Sequence, residues 1–499
     1  MSSKLSRDEW VARAEGLDFR NQAFINGRYV PAASGKTFLC TSPINGQVLA
    51  EVAACDAEDV DRAVKAARQA FESGVWSNLP PKRRKRVLLK FASLIESHAD
   101  ELALLETLDM GKPISNARNQ DIPGVVECIT WNAEAIDKIY DEVAPTGPDA
   151  LALVTREPVG VVAAVIPWNF PLLMFAWKAA PALAAGNSVI VKPAEQSPLS
   201  ALRVAELAAE AGIPDGVLQV LPGFGETAGQ ALGRHMDVDM VSFTGSTEVG
   251  KYFLKYSAES NMKHVSLECG GKSPNIVFAD APDLTAAARA AGQAIFYNSG
   301  QVCVASSRLL VEEKIHDRFV EEVKKVGEIM RPADPLDPRT VMGSMVDETQ
   351  ATRVLNYIGI GRQEGAELLF GGNRALAETG GAYVEPTIFG GVRNDMTIAR
   401  EEIFGPVLAV MTFRDAEEAI RIANDSIYGL QASLWTSDVR RVHTLSRQLR
   451  AGTVYVNTVG GSDMTMPFGG YKQSGIGRDK SLHGIEKYTE LKTTFISLR

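Results

Sequence analysis

Cys303 sits in the run Phe296-Tyr297-Asn298-Ser299-Gly300-Gln301-Val302-Cys303-Val304-Ala305, between small and polar residues and just past a helical pattern. A thiol so placed is a candidate nucleophile, because its thiolate attacks electrophilic carbon and small neighbours leave it approachable. Upstream, Val265-Ser266-Leu267-Glu268-Cys269-Gly270-Gly271-Lys272 offers Glu268, a carboxylate able to take a proton from water. Together they predict a covalent intermediate on sulfur that the carboxylate helps to resolve. Each also has a plainer reading. A lone cysteine is a small buried hydrophobe, and Glu268 can be a structural acid paired with Lys272 or with a backbone amide.

The elements that must position these groups alternate in type. Val161 to Ile166, Ser188 to Val191, Val217 to Val220 and Met240 to Phe243 are short apolar runs, each followed by a helical pattern: from Pro171, over 199–211, over 226–232 and after the turn at Gly245. Short apolar runs covered by amphipathic crossovers read as buried parallel strands, and so as an open α/β dinucleotide-binding unit. A second α/β unit begins near Gly270, with Ile276-Val277-Phe278 as its first strand, a helix over 283–296 that delivers Cys303, and a later strand over 454–457. Before these lie a hairpin turn at Asn26-Gly27 and helices over 56–72, 81–98, 100–110 and from Pro123 towards Tyr140. Gly111 and Pro113 stop the third of these helices. The tail over 491–497 favours a strand, whose apolar edge needs a mate, so assembly through it is expected.

Composition narrows the classes. A chain of 499 residues, 45% hydrophobic, is long enough for roughly three domains. Its 52 basic and 61 acidic residues give a formal charge of -9, with no cationic tail or stripe, which disfavours nucleic acid as the main partner. Cysteines at 40, 55, 128, 269 and 303 follow no framework spacing, and with six histidines there is no zinc-like cluster, so neither disulfides nor a metal is expected. Reducing, cytoplasmic conditions are the simpler reading. The segment from Met1 to Glu9 lacks the apolar core of a secretory signal, and the run from Gly160 to Ile166 is too short to cross a membrane.

Several segments could receive a nucleotide. Gly223, Gly225 and Gly229 follow a strand, though an ordinary strand-to-helix turn explains them as well. Phe243-Thr244-Gly245-Ser246-Thr247-Glu248-Val249-Gly250 gives a tight turn at Gly245 and a helix cap at Ser246, with free amides for a pyrophosphate; a capping box with Glu248 is the bland account. Lys192 and Glu195 close another strand. Glu195 suits ribose hydroxyls and would repel a 2'-phosphate, favouring NAD over NADP, while Lys192 pulls the other way. A solvated charge pair accounts for both as well. Gly271-Lys272-Ser273 imitates the end of a P-loop, but Ser266 stands where its first glycine belongs, so ATP is a poor fit.

In this order, Pro167-Trp168-Asn169-Phe170-Pro171, Lys192-Pro193-Ala194-Glu195, Phe243-Thr244-Gly245-Ser246, Glu268-Cys269-Gly270-Gly271-Lys272, Gly300-Gln301-Val302-Cys303, Glu401-Glu402-Ile403-Phe404-Gly405-Pro406 and Pro467-Phe468-Gly469-Gly470 resemble the NAD(P)-dependent aldehyde dehydrogenase family over nearly the whole chain. Cys269 replaces the leucine common in that family's Glu-Leu-Gly-Gly pattern and adds an oxidisable thiol. The resemblance implies an α/β fold with a Rossmann-type cofactor domain (1–140 and 160–269), an α/β catalytic domain (270–466), a return segment to the cofactor domain (467–480) and a small β oligomerisation element (141–159 and 481–499). It implies a homodimer or homotetramer. It makes Cys303 the nucleophile and Glu268 the base that activates water for thioester hydrolysis. Asn169 and the Cys303 amide become donors to the oxyanion, where losing one donor costs about 2.7–4 kcal/mol in a comparable site. Lys178 joins a polar network near Asn169 and Glu268. The cofactor, NAD with NADP possible, falls to Ile166, Pro167, Trp168, Lys192, Glu195, Gly225, Gly229, Phe243, Gly245, Ser246, Gly250, Glu402 and Phe404, with Glu402 on the nicotinamide ribose.

The same resemblance lines a substrate tunnel with Phe170, Met174, Trp177, Phe296, Val302, Val304 and Phe468, and places Asp121 and Asp463 near its mouth, where carboxylates would attract an amino or guanidino tail. Asp121-Ile122-Pro123-Gly124, the run from Asp463 to Gly475 and Gly477-Arg478-Asp479-Lys480-Ser481-Leu482-His483 are most similar to gamma-glutamyl-gamma-aminobutyraldehyde dehydrogenases of polyamine (putrescine) catabolism. Activity on 4-guanidinobutyraldehyde, on another aminoaldehyde or on 3-hydroxypropionaldehyde is an alternative. So are acyl transfer to coenzyme A, against which Glu268 argues, and a non-catalytic protein that keeps the fold.

Overall fold

Five short runs rich in small and β-branched residues, Val161–Val165, Ser188–Lys192, Leu218–Val220, Met240–Thr244 and His264–Glu268, pair in parallel at the centre of an eight-stranded sheet in the computed structural model. The structure describes residues 5–461 and 463–499. Met1 to Lys4, part of the segment read above as lacking a secretory signal, and Ser462 lie outside the described residues. The first four of these strands are buried at every position, as a sheet covered on both faces demands.

The strand order decides where a ligand can bind. From Val161–Val165 the chain adds Ser188–Lys192 and Leu218–Val220 on one side, then Met240–Thr244 and His264–Glu268 on the other. The order reverses beside Val161–Val165. In an open parallel sheet the crevice at such a reversal, outside the strands' carboxyl ends, is where ligands sit. The Val161–Val165 strand runs out into Pro167-Trp168-Asn169, and Met240–Thr244 runs out into Gly245-Ser246. The hairpin at Asn26-Gly27 (φ 50° and 78°) extends one edge, its Phe24 registered with Val220.

A second sheet of seven strands is parallel except for Glu367–Phe370 at one edge. It contains Pro274–Val277 and Arg308–Glu312, which bracket the Leu284–Phe296 helix and Cys303. A third sheet is antiparallel. Thr489–Ser497 pairs along its whole length with Ala150–Pro158, and Glu142–Ala144 pairs with the far side of the latter. The tail strand thus begins earlier than its β-propensity suggests and finds one mate within the chain. Its outward Leu491 and Phe495 are exposed.

The helices follow their caps. Asp56 caps Ala57–Glu72, and Gly111 (φ 79°) ends Ala99–Met110. Two expectations shift. The helix read from Pro123 towards Tyr140 spans Ile122–Ala135 and is entered through a wide turn over Ala117–Asp121. The helix read over 226–232 is a wide turn, Gly225–Gly229, followed by Gln230–Arg234, because its two glycines weaken regular helix. Among the described residues no helix is long and apolar enough to cross a membrane, and no group of three or more His, Cys, Asp or Glu could hold a metal ion.

Candidate active site

Past the Leu284–Phe296 helix the chain turns through Asn298 (φ 49°), Ser299 (φ 55°) and Gly300 (φ 72°) before Cys303. Left-handed backbone is costly for most side chains, so Asn298 and Ser299 need outside support, while Gly300 takes it freely. Asn298 Nδ2 donates to the Asn169 carbonyl at 3.0 Å and Ser299 Oγ to the Gly343 carbonyl at 3.0 Å, while Gln301 Oε1 accepts from the Val346 amide at 2.8 Å. Asn169 Nδ2 donates to the Gln301 carbonyl at 2.8 Å, which uses one of its two amide hydrogens and fixes the side chain beside the cysteine loop. Of the five cysteines, four are buried and Cys303 is partly exposed. It opens onto a cavity of about 440 Å³ that Asn169 and Glu268 also line. Burial, with Glu402 and Glu268 adding to it, pushes the Cys303 thiol up to about 12, and the amides of Val304 and Cys303 pull the other way.

Glu268 ends the His264–Glu268 strand, in register with Thr244 on one side and Gly475 on the other. It is 3% exposed, and neither carboxylate oxygen has a hydrogen-bond partner among the described residues. Neither Lys272 nor a backbone amide holds it, so the plainer reading of Glu268 fails. Burial and then Asp479 hold its carboxyl well above the ordinary value, against Lys178, Lys487 and Arg478. Lys178, fully buried, does not bond to Glu268 or Asn169; it ion-pairs with Asp479 at 2.6 Å. Asp479 lines the cavity and was given no role from sequence. It lies 301 residues from Lys178, beyond any local pattern.

Toward the sheet's carboxyl edge the cavity is lined by Pro167, Trp168, Thr244, Gly245, Ser246, Glu402 and Phe404. Phe404 (φ 59°) meets Trp168 edge to face at 5.2 Å. Glu402 Oε1 accepts from the Gly271 amide at 2.9 Å, and a Cβ on Gly270 would fall 1.9 Å from Glu402 Oε2. Burial pushes the Glu402 carboxyl up to about 7 against the Gly271 amide. Ser246 Oγ accepts from the Val249 amide at 3.2 Å. Val249, not Glu248, holds the third helical position, so no capping box forms and the amides of 247 and 248 stay available. Thr244 Oγ1 is buried and has no partner among the described residues. An orphaned hydroxyl, free helix-start amides and a glycine floor fit the pyrophosphate and ribose of a nicotinamide dinucleotide.

Three residues expected at the cofactor stand behind the cavity wall. Ile166 and Phe243 are 3% and 4% exposed and lie outside the cavity lining. Phe243 underlies Gly245 instead, where an added Cβ would meet its ring at 2.4 Å. Gly250 is buried against Cys269 Sγ, 2.8 Å from where its Cβ would stand. All three shape the site from behind. Lys192, Glu195, Gly225 and Gly229 gather beyond this cavity, at the ends of the next strands. Lys192 Nζ lies 2.8 Å from the Pro193 carbonyl and 3.5 Å from Glu195 Oε2, and a Cβ on Gly229 would touch Lys192 Cδ at 3.8 Å.

The opposite half of the cavity is apolar, lined by Phe170, Met174, Trp177, Val302, Val304 and Phe468 with Leu173, Tyr455 and Met466. Trp177 and Phe468 pack edge to face at 5.0 Å. Phe296 does not belong here: it is wholly buried in the core of the second sheet, because the last turn of its helix faces that sheet. Asp121 does not stand at a tunnel mouth either. It is 3% exposed, outside the lining, and ion-paired with the buried Lys112, whose ammonium lies 3.9 Å from the Phe170 ring centroid. Asp463 is exposed on the loop leading to Met466 and Pro467, its carboxylate taken by the Thr465 amide and hydroxyl. The lining also holds two cations missed from sequence, Arg353 and Lys480, the latter 5.5 Å from the Trp177 ring centroid.

Residues 29–494 match the family model described as aldehyde dehydrogenase family. The chain is 55% identical to the NADP/NAD-dependent aldehyde dehydrogenase PuuC of Escherichia coli (strain K12), over 98% of each chain. Among solved structures it is similar to an indole-3-acetaldehyde dehydrogenase complexed with NAD+, with TM-score 0.99 and 60% identity over 99% of this chain and 100% of the other. It is also similar to a gamma-glutamyl-gamma-aminobutyraldehyde dehydrogenase from Burkholderia cenocepacia J2315, with TM-score 0.98 and 57% identity over the same shares.

Proposed function

The chain belongs to the aldehyde dehydrogenase family and is an NAD(P)-dependent enzyme that oxidises aldehydes to acids through a catalytic cysteine, and from that premise we propose that Cys303 is this cysteine and Glu268 the base that completes the reaction. One observation carries the assignment. A partly exposed thiol and an unpartnered buried carboxylate open onto one cavity at the reversal point of the parallel sheet.

The Cys303 thiolate attacks the aldehyde carbon. The second amide hydrogen of Asn169 and the Cys303 amide stabilise the resulting oxyanion. When bound, the nicotinamide supplies the two-electron acceptor that turns the adduct into an acyl thioester. Glu402 would hold the ribose, and Phe404 with Trp168 walls that end of the cavity. Glu268 then takes a proton from water, whose oxygen displaces sulfur and releases the acid.

The substrate is an extended aldehyde with a masked amine, of the gamma-glutamyl-gamma-aminobutyraldehyde type. The apolar walls, the cation Lys480 in the lining and the loss of Asp121 as an ammonium anchor support this reading. Acylation of the amine removes a positive charge that such walls would strip of water without a partner. The name of one solved relative, the gamma-glutamyl-gamma-aminobutyraldehyde dehydrogenase, agrees with it. The aromatic walls also favour a second reading, an aromatic aldehyde such as indole-3-acetaldehyde. The three-stranded antiparallel sheet exposes Val143, Leu151, Leu491, Phe495 and Ile496, which supports assembly into dimers or tetramers.

The test is kcat/KM on a panel of gamma-glutamyl, free-amino, guanidino, aromatic and short aldehydes with NAD and NADP. Cys303→Ala should abolish reduction of the cofactor. Glu268→Gln should spare the first turnover of reduced cofactor and stall acid release. A free aminoaldehyde preferred over its acylated counterpart would overturn the substrate reading.

A further inference from the structure

The floor beneath Glu268 holds more charge than the chemistry has so far used. Asp479 is fully buried and pairs with two lysines, Lys178 at 2.6 Å and Lys487, which comes from the chain's C-terminal segment. Lys487 Nζ also donates to Ser266 Oγ at 3.2 Å, two residues before Glu268 on the same strand. Its side chain is 12% exposed, whereas Lys178 and Asp479 are sealed. Other groups facing these carboxylates are Arg478, the thiols of Cys269, Cys303 and Cys128, and the Tyr488 hydroxyl. Of those, only Arg478 carries charge at neutral pH.

Charge counting then becomes decisive. Arg478 lies outside this floor, half-buried, its guanidinium donating to the Gly470 and Gly477 carbonyls. Within the floor, with both lysines protonated and Asp479 ionised, an ionised Glu268 leaves the four groups neutral. Without Lys487 the same floor carries one extra negative charge that only the outlying Arg478 opposes, which is costly where little water reaches. Lys178 alone can serve one carboxylate, not two.

We propose that Lys487 is a positioning residue for thioester hydrolysis: by binding Asp479 it frees the Lys178 charge to support ionised Glu268, so that Glu268 can act as base near neutral pH. This rests on the assignment of Glu268 made above. Lys487 does not line the cavity and touches no reacting atom.

The experiment follows two events in one turnover of the full-length enzyme with NAD and a preferred aldehyde: appearance of reduced cofactor, and release of acid product, each against pH. In Lys487→Met the first should be unchanged and the acid limb of the second should move up by about one pH unit. Lys487→Arg should restore the wild-type limb, which a mere packing role would not predict. If the methionine variant does not fold, Lys487→Gln keeps a polar contact with Ser266 without the charge. An unmoved acid limb in the uncharged variant, alongside a Glu268→Gln enzyme that has lost acid release, overturns the role of Lys487 alone. Normal acid release by Glu268→Gln overturns the base assignment and this proposal with it.

Discussion

Gly300 lies against the backbone of Gly405 so closely that a Cβ on Gly300 would stand 2.2 Å from the Gly405 carbonyl carbon and oxygen. This contact joins the loop that carries Cys303 to the loop that carries Glu402 and Phe404. The two loops therefore meet backbone to backbone, through two glycines. Gly300 also has φ 72°, where an L side chain is strained. Gly300→Ala should destabilise by at least about 1–2 kcal/mol from the backbone alone, with the collision in addition. A lower Tm together with a large fall in kcat is expected. Wild-type values for both would show that the contact does not set the site.

Asp121 holds Lys112 in the buried interior behind Phe170. Removing one partner of a buried pair costs up to about 3–5 kcal/mol, less what Glu106, buried against the same two groups, recovers by opposing the Lys112 charge. Asp121→Asn should therefore lower the denaturation midpoint strongly. The ratio of kcat/KM for free-amino over uncharged aldehydes should stay put. A stable variant with altered discrimination would return Asp121 to the tunnel.

The contrast between Asp121 and Glu268 marks what the sequence could disclose. Strand and helix periodicity located the parallel sheet, the helix before Cys303 and the tail strand, since each is written in local order. The motifs led to Cys303 and Glu268 because a cysteine among small residues and an acid at a strand end carry local signals. Asp121, Phe296 and Phe243 were misplaced because burial depends on which helix or strand face meets the core, and one residue of rotation exchanges cavity for interior. Asp479 and Lys487 were overlooked for the opposite reason. Their meaning comes from Lys178, which only the tertiary fold brings near.

The Cys303 thiol, held up to about 12 first by burial and then by Glu402, should be slow to alkylate without cofactor. A negative charge beside sulfur disfavours thiolate, so removing it must speed alkylation. The Glu402 carboxyl is itself raised to about 7, so it repels only once ionised above that pH. Glu402→Gln should raise the iodoacetamide rate at Cys303 near pH 9 and change it little near pH 6, read by mass spectrometry against Cys303→Ala. Equal rates at both values would remove Glu402 from the thiol's environment.

Glu195 offers a lever on cofactor choice. Its side chain is 36% exposed and sits 3.5 Å from Lys192 Nζ, at the end of the strand that neighbours the sheet's reversal point. An acid at such a strand end can accept hydrogen bonds from an adenosine ribose, and it would repel the 2'-phosphate that distinguishes NADP. Lys192 is buried, which disfavours its charge, while Glu195 sustains it. Glu195→Gln would remove the repulsion yet keep a hydrogen-bonding head, leaving Lys192 to face the phosphate. The ratio of kcat/KM for NADP over NAD should rise about tenfold, equivalent to ~1.4 kcal/mol. The gain should shrink with added salt, because charge rather than shape produces it. A ratio unmoved by the substitution at low salt would mean that the ribose lies elsewhere and that Glu195 and Lys192 are simply a structural pair.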